Sequence, residues 1–133
     1  MCGLELDVVA LAAITDRRLL LVSKREAPDV FYLPGGKREP GEDDLVCLRR
    51  ELAEELGVSV VAPRAWREVI APAALEPGRT MRMTVYLAGL DGRPTVSAEL
   101  AELRWWHAGD PARLAPAIEH HVVPGLRADG FLD

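Results

Sequence analysis

The strongest constraint on this chain is a change of hydrophobic period near residue 41. Before it, apolar residues come in short dense runs at 8–14 and 19–22, separated by Thr15-Asp16-Arg17, which reads as a hairpin of buried strands. After it, Leu45, Leu48, Leu52 and Leu56 recur at three- and four-residue steps, the stripe of an amphipathic helix. Asp43 suits the N-cap, Asp44 the first turn and Gly57 the C-terminal stop, so a helix over 43–56 is expected.

Strand signals resume beyond it. Phe31-Tyr32-Leu33 reads as a short strand ended by Pro34-Gly35-Gly36. Residues 58–61 and 66–70 read as strand pieces around Pro63, 71–78 as a loop, 80–88 as a strand and 103–107 as the last strand. Asp91-Gly92-Arg93-Pro94 is a turn, and 112–123 is expected to be helical up to Pro124. The pattern predicts an α+β fold, a mixed sheet packed between helices, as a single domain over 1–133.

A net charge of −5 and a pI near 5.2 argue against a broad basic surface, so nucleic acid is not the expected partner. The first residues have no basic segment ahead of their apolar stretch, which is shorter than the ~20 residues of a membrane span. A cytoplasmic setting and no membrane partner are the expectation. Cys2 and Cys47 are the only cysteines and form no C-x-x-C pair, so no disulfide is expected. Nothing in the sequence separates a monomer from a homodimer.

At 100° per residue, Glu51, Glu54 and Glu55 share an arc beside the leucine stripe. Glu51 and Glu55 are a like-charge i,i+4 pair, which costs a few tenths of a kcal/mol on an exposed helix and more when desolvated. A solvated acidic helix face would explain the residues singly. A hard divalent cation would convert the repulsion into coordination, and Mg2+ favours a few carboxylates together with substrate phosphates. Gly35 and Gly36 allow close backbone approach, so a carbonyl there suits the same cation.

The spacing decides between these readings. Gly36, Glu42, Arg50-Glu51-Leu52, Glu54-Glu55 and Gly57-Val58 fall at every fixed position of a 23-residue signature, the Nudix box. Seven identities at roughly a tenth or less each give a chance match on the order of 10⁻⁷ per starting point. The chain therefore resembles the Nudix hydrolases, and a MutT-like member in particular.

That resemblance implies a metal-dependent pyrophosphohydrolase acting on a nucleoside diphosphate linked to X, with Mg2+ or Mn2+ as cofactor and a small nucleotide as partner. It implies that Glu54 and Glu55 are metal ligands and that Glu51 is a ligand or the base that activates water. It further implies a metal-directed carbonyl from Gly35, an orienting Arg50, and Gly36 and Glu42 as support for the loop and helix. Lys37 would face phosphates. A further acid is expected ahead of the last core strand, Glu99 first and Glu102 as its rival.

Trp105 and Trp106 point to opposite faces of a strand, so one is expected in the core and the other beside the base. His120-His121 lacks a Cys or Asp cluster and reads as surface. Cys47, beside acids, is not expected to act as a nucleophile. The chain has no Asn and no Gln, so the Asn that MutT-like proteins use to read oxidised guanine is missing, leaving Asp110, Asp129 or backbone groups. The expected substrate is a nucleoside triphosphate read with broad base tolerance. ADP-ribose hydrolysis, RNA-end hydrolysis using an Arg79–Arg82 patch, and nucleotide binding without turnover are the alternatives.

Overall fold

The computed structural model describes residues 5–97 and 99–133; Cys2 lies outside them. Its elements are β1 (Glu5–Ala12), β2 (Ile14–Thr15), β3 (Arg18–Lys24), β4 (Ala27–Tyr32), β5 (Gly35–Lys37), α1 (Asp44–Leu56), β6 (Val60–Pro72), β7 (Thr80–Leu90), β8 (Leu100–Trp106) and β9 (Arg113–Leu114). A π-helical turn, Ile118–Val122, then leads into α2 (Val123–Ala128).

Two mixed sheets result. One has the order β5-β1-β7-β6, with β1 parallel to β7, and the other runs β2-β3-β4-β9 with β8 antiparallel to β3. Both β1 and β3 are apolar on both faces because both faces are covered. Val9 and Leu11 of β1, with Leu20 and Val22 of β3, pack toward Leu48, Leu52 and Leu56 of α1. Their neighbours Ala10, Ala12, Leu19 and Leu21 pack with Ile118, Val122 and Leu126 on the other side. This is the expected α+β sandwich.

Several boundaries differ from expectation. Residues 8–14 and 19–22 do not form one hairpin: only Ile14–Thr15 pairs with Arg18–Leu19, while β1 belongs to the other sheet. The two pieces around Pro63 are one strand, β6, whose register shifts near Ala62 (φ 52°). The helix expected over 112–123 is displaced: β9 occupies part of it, and helical structure continues through Pro124, which follows the π turn at the start of α2. No helix among the described residues is long and apolar enough to cross a membrane.

Candidate active site

The site begins with the ends of α1. Asp43 Oδ1 accepts from the Val46 N–H at 2.9 Å, and Gly57 closes the helix in the left-handed region at φ 68°. The buried face is made of Cys47, Leu48, Leu52, Glu55 and Leu56, whereas Leu45 is only half-buried. A carboxylate thus enters the core stripe itself.

β5 lies across the start of this face, antiparallel to β1. A Cβ on Gly35 (φ 143°) would stand 2.2 Å from the Val9 carbonyl oxygen, and one on Gly36 would stand 2.3 Å from the Glu51 carboxylate. Both positions exclude side chains, and Gly36 does so to let Glu51 lie against the loop.

Arg50 ties these parts together. Its Nε and Nη2 donate to the two oxygens of Glu42 at 2.6 and 2.9 Å, Nη1 donates to Glu51 at 3.0 Å and to Glu54 at 3.5 Å, and Nη2 also reaches the Lys37 carbonyl at 3.1 Å. The guanidinium, aided by the Glu39 N–H, holds the Glu42 carboxyl down at about 2. Arg50 and Glu42 therefore brace the glycine loop against the helix.

One arginine does not neutralise the remaining acids. Glu55 is buried and accepts a 3.1 Å hydrogen bond from the Gly35 N–H; burial, with Glu51 and Glu99 adding to it, pushes its carboxyl up to about 7. Burial likewise raises Glu51. Burial and then the Glu42 charge raise the Cys47 thiol to about 11, which agrees with its reading as an inert, free cysteine.

Glu51, Glu54, Glu55 and Glu99 all line one cavity of about 390 Å3, together with Lys24, Gly35, Gly36 and Lys37. Apolar residues line it as well, Leu6, Val8, Leu33, Met81, Met83 and Ile118 among them. Glu102 is engaged elsewhere, accepting from Arg104 at 3.0 Å. Of the two rival acids, Glu99 is the one at this cavity.

Trp105 and Trp106 do face opposite ways, but neither lines the cavity. Trp106 is buried in the core beside the C-terminal segment and Trp105 packs toward α1. The lining aromatic is Tyr32, which the sequence marks only as part of a strand. Its signal was its place directly before the glycine loop. Asp110 is held by Arg104 and the Ala112 N–H, and Asp129 by Trp66, so neither faces the cavity. His120 and His121 are exposed at a separate shallow cavity, and Arg79 and Arg82 pair with Glu76 and Glu5.

The donor chemistry fits a hard divalent cation: carboxylate oxygens, two of them raised by burial, around a polar wall. The side chains are not gathered as a closed centre. Among the described residues no three His, Cys, Asp or Glu side chains are grouped to hold a metal ion; Arg50 engages Glu51 and Glu54, and the Gly35 N–H engages Glu55. Gly35 presents its N–H to Glu55.

A family model described as NUDIX domain matches residues 5–124. The chain belongs to the Nudix hydrolase family. A protein of Mycobacterium tuberculosis named "Putative 8-oxo-dGTP diphosphatase 2" is 33% identical over 112 residues, covering 74% of this chain and 79% of that protein. The NAD-capped RNA hydrolase NudC of Deinococcus radiodurans is 32% identical over 100 residues, 75% of this chain but 35% of that protein. Among solved structures, a MutT NUDIX hydrolase from Burkholderia pseudomallei superposes with a TM-score of 0.76 at 29% identity, covering 86% of this chain and 93% of that one. This Nudix chain is thus a MutT-like hydrolase acting on nucleotide phosphoric anhydrides.

Proposed function

We propose that this hydrolase converts nucleoside triphosphates to the monophosphate and pyrophosphate, with Mg2+ as its cofactor and a cytoplasmic setting. The observation that carries the reading is the cavity of about 390 Å3, which gathers Glu51, Glu54, Glu55 and Glu99 with Lys24 and Lys37 beside apolar residues, at a size suited to a nucleotide.

Glu51, Glu54 and Glu55, with Glu99 and the Gly35 carbonyl, are the groups that would hold the cation. Bound there, Mg2+ would neutralise phosphate charge and polarise the phosphorus. The chain's own residues supply the rest. Glu51, whose side chain is 15% exposed against 58% for Glu54, takes the proton from the attacking water. The water oxygen bonds to phosphorus as the bridging P–O bond breaks, and the pyrophosphate leaves. Arg50 keeps Glu51 aimed, Glu42 keeps Arg50 in place, and Lys37 meets the phosphate chain. Lys37 now pairs with Glu76 at 3.1 Å and is 60% exposed, so an incoming phosphate competes only with a weak surface contact.

The experiment is a panel of nucleotides, 8-oxo-dGTP included, incubated with protein and Mg2+ while phosphate and pyrophosphate are measured. We expect comparable rates over several nucleoside triphosphates and no turnover after exhaustive chelation. Full turnover without metal would overturn the cofactor assignment. A hundredfold preference in kcat/KM for ADP-ribose or a sugar nucleotide, about 2.7 kcal/mol of transition-state discrimination, would overturn the substrate.

A further inference from the structure

The connection between β6 and β7 brings a further acid to the cavity from outside α1. Ala73, Ala74, Leu75 and Glu76 all line it, as do Gly36 and Lys37 of β5. The connection is closed on itself: the Ala73 N–H donates to the Arg79 carbonyl at 3.0 Å, and the Arg79 N–H to the Glu76 carbonyl at 3.2 Å. Its acid reaches β5. Glu76 Oε2 meets Lys37 Nζ at 3.1 Å, while Oε1 accepts from Arg79 Nη1 at 3.1 Å. Lys37 first, then Arg79, holds the Glu76 carboxyl below the usual carboxylate range, so it is charged at neutral pH.

That charge works against Lys37 as the residue that meets the phosphate chain. A carboxylate and a phosphate oxygen compete for one ammonium, and Glu76 also repels the ligand. As a brace the pair offers little, because both side chains are partly exposed and such ion pairs add little stability. The way the carboxylate is shared decides what it can do instead. When a phosphate takes Lys37, Oε1 can keep Arg79, so the displaced acid still has a partner.

We propose that Glu76 is a specificity-determining residue that sets how tightly this site holds phosphate. Its carboxylate occupies Lys37 until a polyphosphate displaces it. The proposal rests on the nucleotide reading above and deepens it. A nucleoside triphosphate has contacts of its nucleoside to offset the displacement, whereas pyrophosphate binds by charge alone. The acid therefore favours substrate over the pyrophosphate product and helps that product leave.

The test is Glu76→Gln, which keeps the size and an oxygen for Arg79 but removes the charge from Lys37. Calorimetry in Mg2+ measures the affinity for pyrophosphate and for a non-hydrolysable nucleoside triphosphate analogue. We expect the variant to bind both about two- to fivefold more tightly. A residue that only shapes the loop cannot tighten binding, so unchanged or weaker affinity overturns the proposal. Lys37→Met supplies the second arm. In that background Glu76→Gln should leave both affinities unchanged; the same gain there would come from removing any negative charge near the cavity, and it too overturns the proposal. A wild-type protein that binds these ligands but hydrolyses no nucleoside triphosphate overturns the reaction alone. One that binds neither ligand overturns both.

Discussion

The two helical segments that flank the sheets are built in opposite ways. α1 has both ends specified locally, by the Asp43 cap and the left-handed Gly57. The C-terminal segment has no side-chain cap, changes from a π turn to an α-helix at Val123 and carries Pro124 inside it. It is held by burial of Ile118, Val122, Val123 and Leu126 against the sheets. A helix with local ends can bear mutually repelling acids on one face and still form. One that depends on packing has no such margin, and its acid, Glu119, is exposed.

The largest effect that separates the two is on activity. Glu54→Gln removes one ligand charge and little volume from an exposed position, so kcat/KM is expected to fall at least about 100-fold while the melting temperature moves by no more than about 2 °C. Steady-state kinetics beside calorimetry checks both. Wild-type turnover would show that the acids of α1 do not carry the chemistry.

Gly125→Ala asks whether the C-terminal segment is really made by packing. Helix propensity alone makes alanine better by up to about 1 kcal/mol. Against that, the new Cβ would stand 2.5 Å from Arg67 Nη1 and 3.0 Å from Trp66 Cη2. Arg67 could swing away, but it stacks on Trp66 with its guanidinium 4.5 Å from the ring, and Trp66 is pinned by a 2.7 Å hydrogen bond to Asp129. Overpacking of about 1–3 kcal/mol should win, lowering the melting temperature by several degrees and leaving kcat at 25 °C unchanged. A variant that melts higher would mean that local propensity rules this segment too.

The same contrast governs what could be read from the sequence. α1 was legible to within a residue of its caps, since period, cap and stop all sit inside one short stretch. The braces around Arg50 were visible only through a family resemblance, because nothing in local periodicity says that Arg50 reaches Glu42. The runs at 8–14 and 19–22 read as one hairpin because strands buried on both faces lose the alternation that marks a partner. Trp105 and Trp106 show the limit from the other side. Alternation fixed that they face apart, but which face meets the cavity depends on β8 pairing with β3, a contact about 80 residues away in sequence. Glu76 carried no sequence signal for its pairing with Lys37, which arises only from what surrounds it in space.

The smallest expected effect tests the local half of the comparison directly. Asp43 contributes a 2.9 Å hydrogen bond to the Val46 N–H, and it adds negative charge at the positive end of the helix. Asp43→Ala should cost about 1 kcal/mol, a fall of a few degrees in melting temperature. Asp43→Asn keeps the acceptor and removes the charge, so it separates the two contributions; it should recover most of the loss if the hydrogen bond dominates. Glu51 lies eight residues further on, roughly 12 Å along the axis at 1.5 Å per residue, and Arg50 is anchored to Glu42 independently of the cap. Hence kcat at 25 °C should be unchanged in both variants. A parallel loss of kcat in Asp43→Ala but not in Asp43→Asn would show that fraying of the first turn reaches the carboxylates, so that the cap belongs to the active site as well as to the helix.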